Sequence, residues 1–450
     1  MATLIIENCA IATVDPDGTE HTLGHIVVDG NRIAGVAAGP APPHPHARRV
    51  DGRGCLATPG LVNTHHHLYQ WATRGLAQDS TLFGWLQHLY PMWTRLDEQI
   101  THDAAAAGLG WLAMSGTTTT ADHHYLFPGG ADLLTAEIEA ARTVGLRFHP
   151  CRGSMDRGQS AGGLPPDDAV EDIDAILDAT FEAIDRHHDP SPDSMLRVAV
   201  APCSPFSVSS ELLARSAELA RAGRVRMHTH IAETLDEETF CRGVHGCGPV
   251  EYLEQVGWLG DDAWLAHGVH LSETEIKQLA RAGTAIAHCP SSNGRLGAGI
   301  APVRALLDAG VPVGLGVDGP ASQESGLMAE ELRQALYLAR IAGGPEALSV
   351  REALALGTVG GARCLGREAE IGSLEAGKLA DIALWRLDGL GHRGIADPVA
   401  ALVLGPPAPV ELLIVNGRPV IDGGSPRTFD PIELALRAET AARRIAGGIR

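Results

Sequence analysis

The sequence predicts an α/β fold, a (β/α)8 TIM-type barrel carrying a small β-sandwich domain, on three observations. Eight short apolar runs with strand character each lead into a segment of helical periodicity, the mark of parallel βαβ units. Both ends of the chain read instead as strands joined by tight turns. The chain has 450 residues, 44% of them hydrophobic. That is longer than the roughly 50–250 residues of one ordinary domain and enough to bury a large core.

Residues 1–56 supply the first β segment. Ile5-Ile6 and a run over 10–14 lead to Asp15-Pro16-Asp17-Gly18, and strands over 25–28 and 32–36 flank Asp29-Gly30-Asn31, a hairpin turn that tolerates positive φ. Residues 370–425 mirror them, with strands over 378–385 and 411–420 and the hairpin dipeptide Asn416-Gly417. The two segments are expected to pair as one sandwich. Between them, residues 57–369 carry the barrel, with strands over 60–63, 117–121, 146–150, 196–201, 225–228, 263–266, 284–288 and 311–317. Helices follow, for example over 209–222 and 272–282, the latter opening with the capping pattern Ser272-Glu273-Thr274-Glu275. Residues 426–450 read as a helical tail, periodic over 431–449.

Charge and composition narrow the partners. A net charge of −20 disfavours nucleic acid and anionic membranes, since both would repel the chain. The N-terminus lacks a basic segment followed by a long apolar one, and no apolar run approaches the roughly 18 residues of a membrane span, so a cytoplasmic protein is expected. Eight scattered cysteines form no Cys-x-x-Cys pair, which fits reduced thiols. Cys241-x-x-x-His245-x-Cys247 is the one spacing among them to check for a metal. Only two lysines occur, Lys277 in a helix and Lys378 in a turn, so neither suits a Schiff base or a P-loop.

The first barrel strand ends Leu61-Val62-Asn63-Thr64-His65-His66-His67. At a spacing of two, His65 and His67 project to one side of an extended strand end and His66 to the other. This is a metal-ligand arrangement, provided other strands bring matching groups. Strand five ends His228-Thr229-His230-Ile231-Ala232-Glu233, strand six Ala266-His267-Gly268, strand seven His288-Cys289-Pro290 and strand eight Val317-Asp318-Gly319. Each places a ligand or titratable group at the C-terminal face, where barrels of this type keep their chemistry.

His65-x-His67, His228-x-His230-x-x-Glu233, Ala266-His267 and Val317-Asp318-Gly319, flanked by β segments at both ends, resemble the amidohydrolase superfamily, in the branch of mononuclear aminohydrolases. The likeness runs from about residue 4 to residue 425. It implies a metal held by His65, His67, His230 and Asp318, with Glu233, His267 and Asp318 as catalytic proton carriers. Binuclear relatives use a carbamylated lysine after strand four; this strand ends Ala201-Pro202-Cys203, so one divalent ion is implied, zinc first and iron second, on a nitrogen-rich ligand set.

For the substrate, six of the 19 aromatic residues fall between Tyr69 and Trp93, a segment suited to cover the barrel mouth and stack on a flat ring. Gln70, Trp85, Arg152 and Cys203 are the expected substrate-binding residues. Motifs such as Leu82-Phe83-Gly84-Trp85-Leu86 and His288-Cys289-Pro290-Ser291-Ser292-Asn293 resemble most the 8-oxoguanine deaminase group, with the hydroxytriazine hydrolases as near neighbours. The resemblance implies hydrolytic deamination of an amino-substituted heterocycle, 8-oxoguanine first. The alternatives are s-triazine amino- or chlorohydrolysis, isocytosine or guanine deamination, and, in another class, a barrel that binds a heterocycle without turning it over. The expected partners are a small heterocyclic molecule and further copies of the chain in a homo-oligomer.

Overall fold

The computed structural model describes residues 3–447. Eight parallel strands close into a barrel: β1 (Leu61–Asn63), β2 (Thr117–His124), β3 (Arg147–Ser154), β4 (Ala199–Pro202), β5 (Met227–Ile231), β6 (Ala263–His267), β7 (Ala285–His288) and β8 (Val313–Leu315), each hydrogen-bonded to the next and β8 to β1. Every residue of these strands is buried, as expected where helices cover the outside and side chains fill the inside. All eight expected strands are present. The fourth begins at Ala199 rather than at 196, because Leu196 makes only an isolated bridge to Phe148.

Nine strands from the two ends of the chain form one mixed sheet. Its centre is Cys55–Pro59, which pairs parallel with Leu4–Ala12 and antiparallel with Ile382–Arg386. N- and C-terminal segments are thereby joined side by side. The predicted hairpin at Asn416-Gly417 links Val410–Val415 to Arg418–Asp422, with φ of 50° and 76° at the two turn residues, the pair of positive values that a two-residue turn of this hand requires. Ile6, Ile11, Ile26, Ile382 and Ile414 form the sheet's own apolar core. A buried ion pair ties sheet to barrel: Arg147, at the start of β3, donates two parallel bonds of 3.0 Å to Asp381.

The helix over Glu273–Ala282 begins with the predicted capping box of Ser272 and Glu275. The C-terminal helix covers Pro431–Ala446 and packs on Glu98–Met114; the predicted extent beyond 447 lies outside the described residues. Among the described residues no helix is long and apolar enough to cross a membrane.

Candidate active site

The ends of β1, β5, β6 and β8 converge at one mouth of the barrel. Three non-glycine residues there have left-handed φ: Ala232 (48°), His267 (76°) and Asp318 (62°). Such backbone costs roughly 1–3 kcal/mol per residue and persists only where the surroundings enforce it. Here it turns the chain just past each strand so that functional side chains face the cavity.

Hydrogen bonds fix the tautomers of the central histidines. His67 donates through Nδ1 to the carbonyl of His123 (2.6 Å), and His230 through Nδ1 to that of Cys203 (2.7 Å). His228 gives its Nδ1 proton to the Trp264 carbonyl (2.8 Å), so its Nε2 accepts from His65 Nδ1 (2.7 Å). The Nε2 atoms of His65, His67 and His230 therefore carry bare lone pairs. Those of His67 and His230 lie 3.2 Å apart, and Asp318 Oδ1 is 3.3 Å from His65 Nε2 and 3.4 Å from His67 Nε2. Burial pushes His67 down to about 4 and holds His65 and His230 well below the usual histidine range, so all three rings are neutral.

These donors fit one divalent cation. His65 Nε2 is buried with no hydrogen-bond partner, and facing lone pairs repel unless a positive charge lies between them. Ligand bonds of ~2.0–2.1 Å in a tetrahedron give edges of about 3.3–3.4 Å, close to the separations found. His66 is turned away as the strand alternation predicts: its Nδ1 accepts the His67 amide proton (2.8 Å), and its Nε2 lies toward Gly108. His123, which sequence reasoning did not place among possible ligands, joins the same cluster of donor atoms; its Nε2 is spent on the Ala201 carbonyl (2.7 Å). Among the described residues Cys241, His245 and Cys247 belong to no such cluster.

Around this cluster sit the groups able to carry protons. Glu233 Oε2 is 3.6 Å from His267 Nε2, which is 4.0 Å from Asp318 Oδ2. Burial raises the Glu233 carboxyl to about 7. Burial alone would lower His267, but the charges of Glu233 and Asp318 outweigh it and raise the ring. Asp318 would be raised by burial, yet it lies well below the usual carboxylate range, because positive charge on His267 favours its ionised form. Two residues that sequence reasoning quoted only as part of a motif orient this set: Ser292 donates to Asp318 Oδ2 (2.6 Å), and Asn293 Oδ1 accepts from His267 Nδ1 (3.0 Å).

The cavity in front of these groups is lined by Gln70, Trp85, Tyr90, Tyr125, Cys203 and Phe206, among others. Its free volume is about 30 Å³. The Gln70 amide faces it with Oε1 buried and unpartnered; a Cβ on Gly319 would lie 1.8 Å from that oxygen, so glycine makes room for the amide. Trp85 donates its indole N–H to the Ala321 carbonyl (3.1 Å) and presents its ring. Burial pushes the Cys203 thiol up to about 12, so it stays neutral.

Arg152 is a correction. Its guanidinium lies over the Phe127 ring, 3.7 Å from the centroid, and pairs with Glu171 at 2.8 Å, lining a different cavity. The aromatic segment is also only partly at the mouth. Of its six aromatics, Trp85 and Tyr90 reach the cavity, Phe83 packs on Phe206, Tyr69 and Trp93 pack edge to face, and Trp71 carries Arg74 on a separate groove.

The fold and the convergent donors define a metal-dependent hydrolase barrel, and the chain belongs to the amidohydrolase family, whose model matches residues 56–420. Over 97% of its length it is 43% identical to an 8-oxoguanine deaminase of Pseudomonas aeruginosa, covering 98% of that protein. It is 36% identical to the hydroxydechloroatrazine ethylaminohydrolase of Pseudomonas sp. strain ADP, with 89% of this chain and 85% of the relative covered. Among solved structures, the zinc complex of the atrazine chlorohydrolase from Arthrobacter aurescens TC1 superposes with a TM-score of 0.93 at 36% identity, covering 98% of this chain and all of the other.

Proposed function

We propose that the protein hydrolyses the exocyclic C–N bond of an amino-substituted heterocycle, converting 8-oxoguanine and water to urate and ammonia, with one zinc ion held by His65, His67, His230 and Asp318. The ion, when bound, supplies a nucleophile at neutral pH by lowering the pKa of its water toward about 7. Asp318 turns Oδ1 to the histidines and Oδ2 toward Ser292 and His267, which places Oδ2 to take a proton from the attacking water. Glu233, raised to about 7, retains a proton near neutral pH and gives it to the ring nitrogen beside the attacked carbon. His267 Nε2, between the two carboxylates, steers the nucleophile. The proton collected on Asp318 passes to the departing amine and the remaining hydroxyl proton of the adduct returns to Glu233, so that neutral ammonia leaves, the carbonyl forms and both carboxyl groups regain their starting states. Gln70 reads the ring edge through its free amide, Trp85 stacks on the ring face, and the neutral Cys203 thiol borders the ring.

The observation that carries this reading is Glu233, a buried carboxylic acid beside a cluster of bare histidine nitrogens. A barrel that only bound a heterocycle would have no use for it. The choice of 8-oxoguanine draws its support from the deaminase relative that matches this chain end to end. A second reading, hydrolysis of an s-triazine, draws its support from the likeness to the atrazine chlorohydrolase; isocytosine and guanine are further candidates. Ammonia or chloride release from 8-oxoguanine, guanine, isocytosine, hydroxyatrazine and atrazine by zinc-loaded protein separates these readings. The proposal also includes a cytoplasmic location and self-association, for which Ile432 and Leu436, exposed on the C-terminal helix, offer an apolar face; a sizing measurement tests the association.

A further inference from the structure

At the end of the barrel opposite the catalytic groups, the starts of three neighbouring strands, β3, β4 and β5, border a cavity of about 230 Å³. Its walls carry His149, His188, Arg197, Arg224 and Arg226, a concentration of cationic groups in a chain of net charge −20. Most guanidinium groups around it are matched. Arg197 donates to one oxygen of Glu370 (2.7 Å) and Arg367 to the other (2.5 Å), while Arg147 is taken by Asp381.

Arg226 is not matched. Among the described residues its guanidinium has no hydrogen bond and no ion pair, and its Nε is buried without a partner, as is the Nε of Arg197. Asp262, one of the nearest carboxylates, is engaged by Arg221 at 2.9 Å. His149 registers the resulting field: burial and the charges of Arg367, Arg197, Arg147 and Arg226 together push its ring well below the usual range. The cavity wall thus carries three guanidinium groups and no carboxylate; Glu368, Asp262 and Asp261 act on Arg226 through their charge from outside the wall, and none is bonded to it.

Unpaired buried donors on a cation cost free energy until an anion meets them, and a guanidinium fork matches the oxygens of a tetrahedral oxyanion. The cavity is smaller than the ~300–1,000 Å³ of sites that enclose drug-sized ligands, and Arg224, exposed on its wall, gives it an opening to solvent. We propose that this cavity is an anion site for phosphate, free or as the terminal group of a small phosphomonoester, held by Arg226 with Arg224 and His188 beside it. The site lies at the face where barrels of this type keep stability rather than chemistry, so occupancy raises the folding stability by mass action and leaves turnover unchanged.

The test is calorimetric titration and thermal unfolding of the full, zinc-loaded chain with inorganic phosphate, against chloride at matched ionic strength. The expected result is a phosphate-dependent rise in Tm beyond that in chloride. Arg226→Gln is expected to weaken phosphate binding at least tenfold while keeping kcat/KM within twofold, with Arg226→Lys in between. Arg393→Gln, at an exposed arginine elsewhere, should bind as the wild type does. Phosphate meeting zinc in the catalytic cavity would inhibit competitively and bind Arg226→Gln unchanged; that outcome, or no shift beyond chloride, overturns the proposal. Ribose 5-phosphate in a parallel titration separates the sources: tighter binding than phosphate assigns the site to a phosphomonoester, equal or weaker binding to the free ion.

Discussion

His67 Nε2 and His230 Nε2 face each other at 3.2 Å, each with its proton committed on the far side of its ring, to the His123 and Cys203 carbonyls. Neither nitrogen can donate to the other, so the contact is repulsive until a cation fills it. Removing the metal with a chelator is expected to abolish turnover and lower Tm. Adding back zinc at about 1,000 times its Kd should restore roughly 4 kcal/mol of stability. Thermal unfolding of the stripped and reloaded protein, with one zinc bound per chain, checks this.

In the proposed mechanism Glu233 acts as an acid, so its protonated form is the active one. With its carboxyl raised to about 7 by burial, kcat/KM should fall as pH rises through about 7. Glu233→Gln keeps the shape but has no acidic proton to give, and is expected to lower kcat by about 10²–10⁴ and to remove that limb of the pH profile. A variant with wild-type kcat and an unchanged profile would show that Glu233 does not carry the proton.

A second buried acid, Glu137, links stability to pH. His124 donates Nε2–H to the Leu126 carbonyl (2.7 Å), so its Nδ1 accepts from the carboxyl of Glu137 at 2.8 Å. Burial raises that carboxyl from 4.5 to about 8. A carboxyl raised on folding contributes stability that is complete below the unfolded value near 4.5 and is lost as pH rises through about 8. Tm should therefore decline across this window in the wild type. Glu137→Gln, which can still donate to His124, should flatten the decline, as thermal unfolding at pH 5, 7 and 9 would show.

Gln70 and Arg152 should separate clearly in kinetics. Gln70→Ala removes the free amide at the cavity and is expected to lower kcat/KM about 5- to 13-fold, the worth of one hydrogen bond of ~1–1.5 kcal/mol. Arg152→Gln acts on a side chain held by Glu171 and Phe127 outside the cavity, and kcat/KM should stay within about threefold.

That contrast shows where sequence reasoning reaches and where it stops. His65, His67, His230, Glu233, His267 and Asp318 were legible because the barrel sends every strand's C-terminal end to one face, so a short motif at a strand end is enough to place its side chain. Arg152 also follows that rule along the backbone, yet its long side chain is drawn off by a carboxylate 19 residues away, which no local pattern announces. The roles of Ser292 and Asn293 rest on partners 26 residues distant in each case. Only the run Pro290-Ser291-Ser292-Asn293 after β7 hinted at them. The sequence predicts the aromatic segment as a cover for the mouth, but packing against Trp93 and the groove beside Arg74 claims much of it.

The central claim is tested most directly by the kcat/KM of zinc-loaded protein on 8-oxoguanine, followed as urate and ammonia together. One urate and one ammonia per molecule consumed, with a kcat/KM above those for guanine, isocytosine and hydroxyatrazine, is the predicted result. Folded, zinc-loaded protein that releases no ammonia from 8-oxoguanine, or that prefers a triazine, would contradict it.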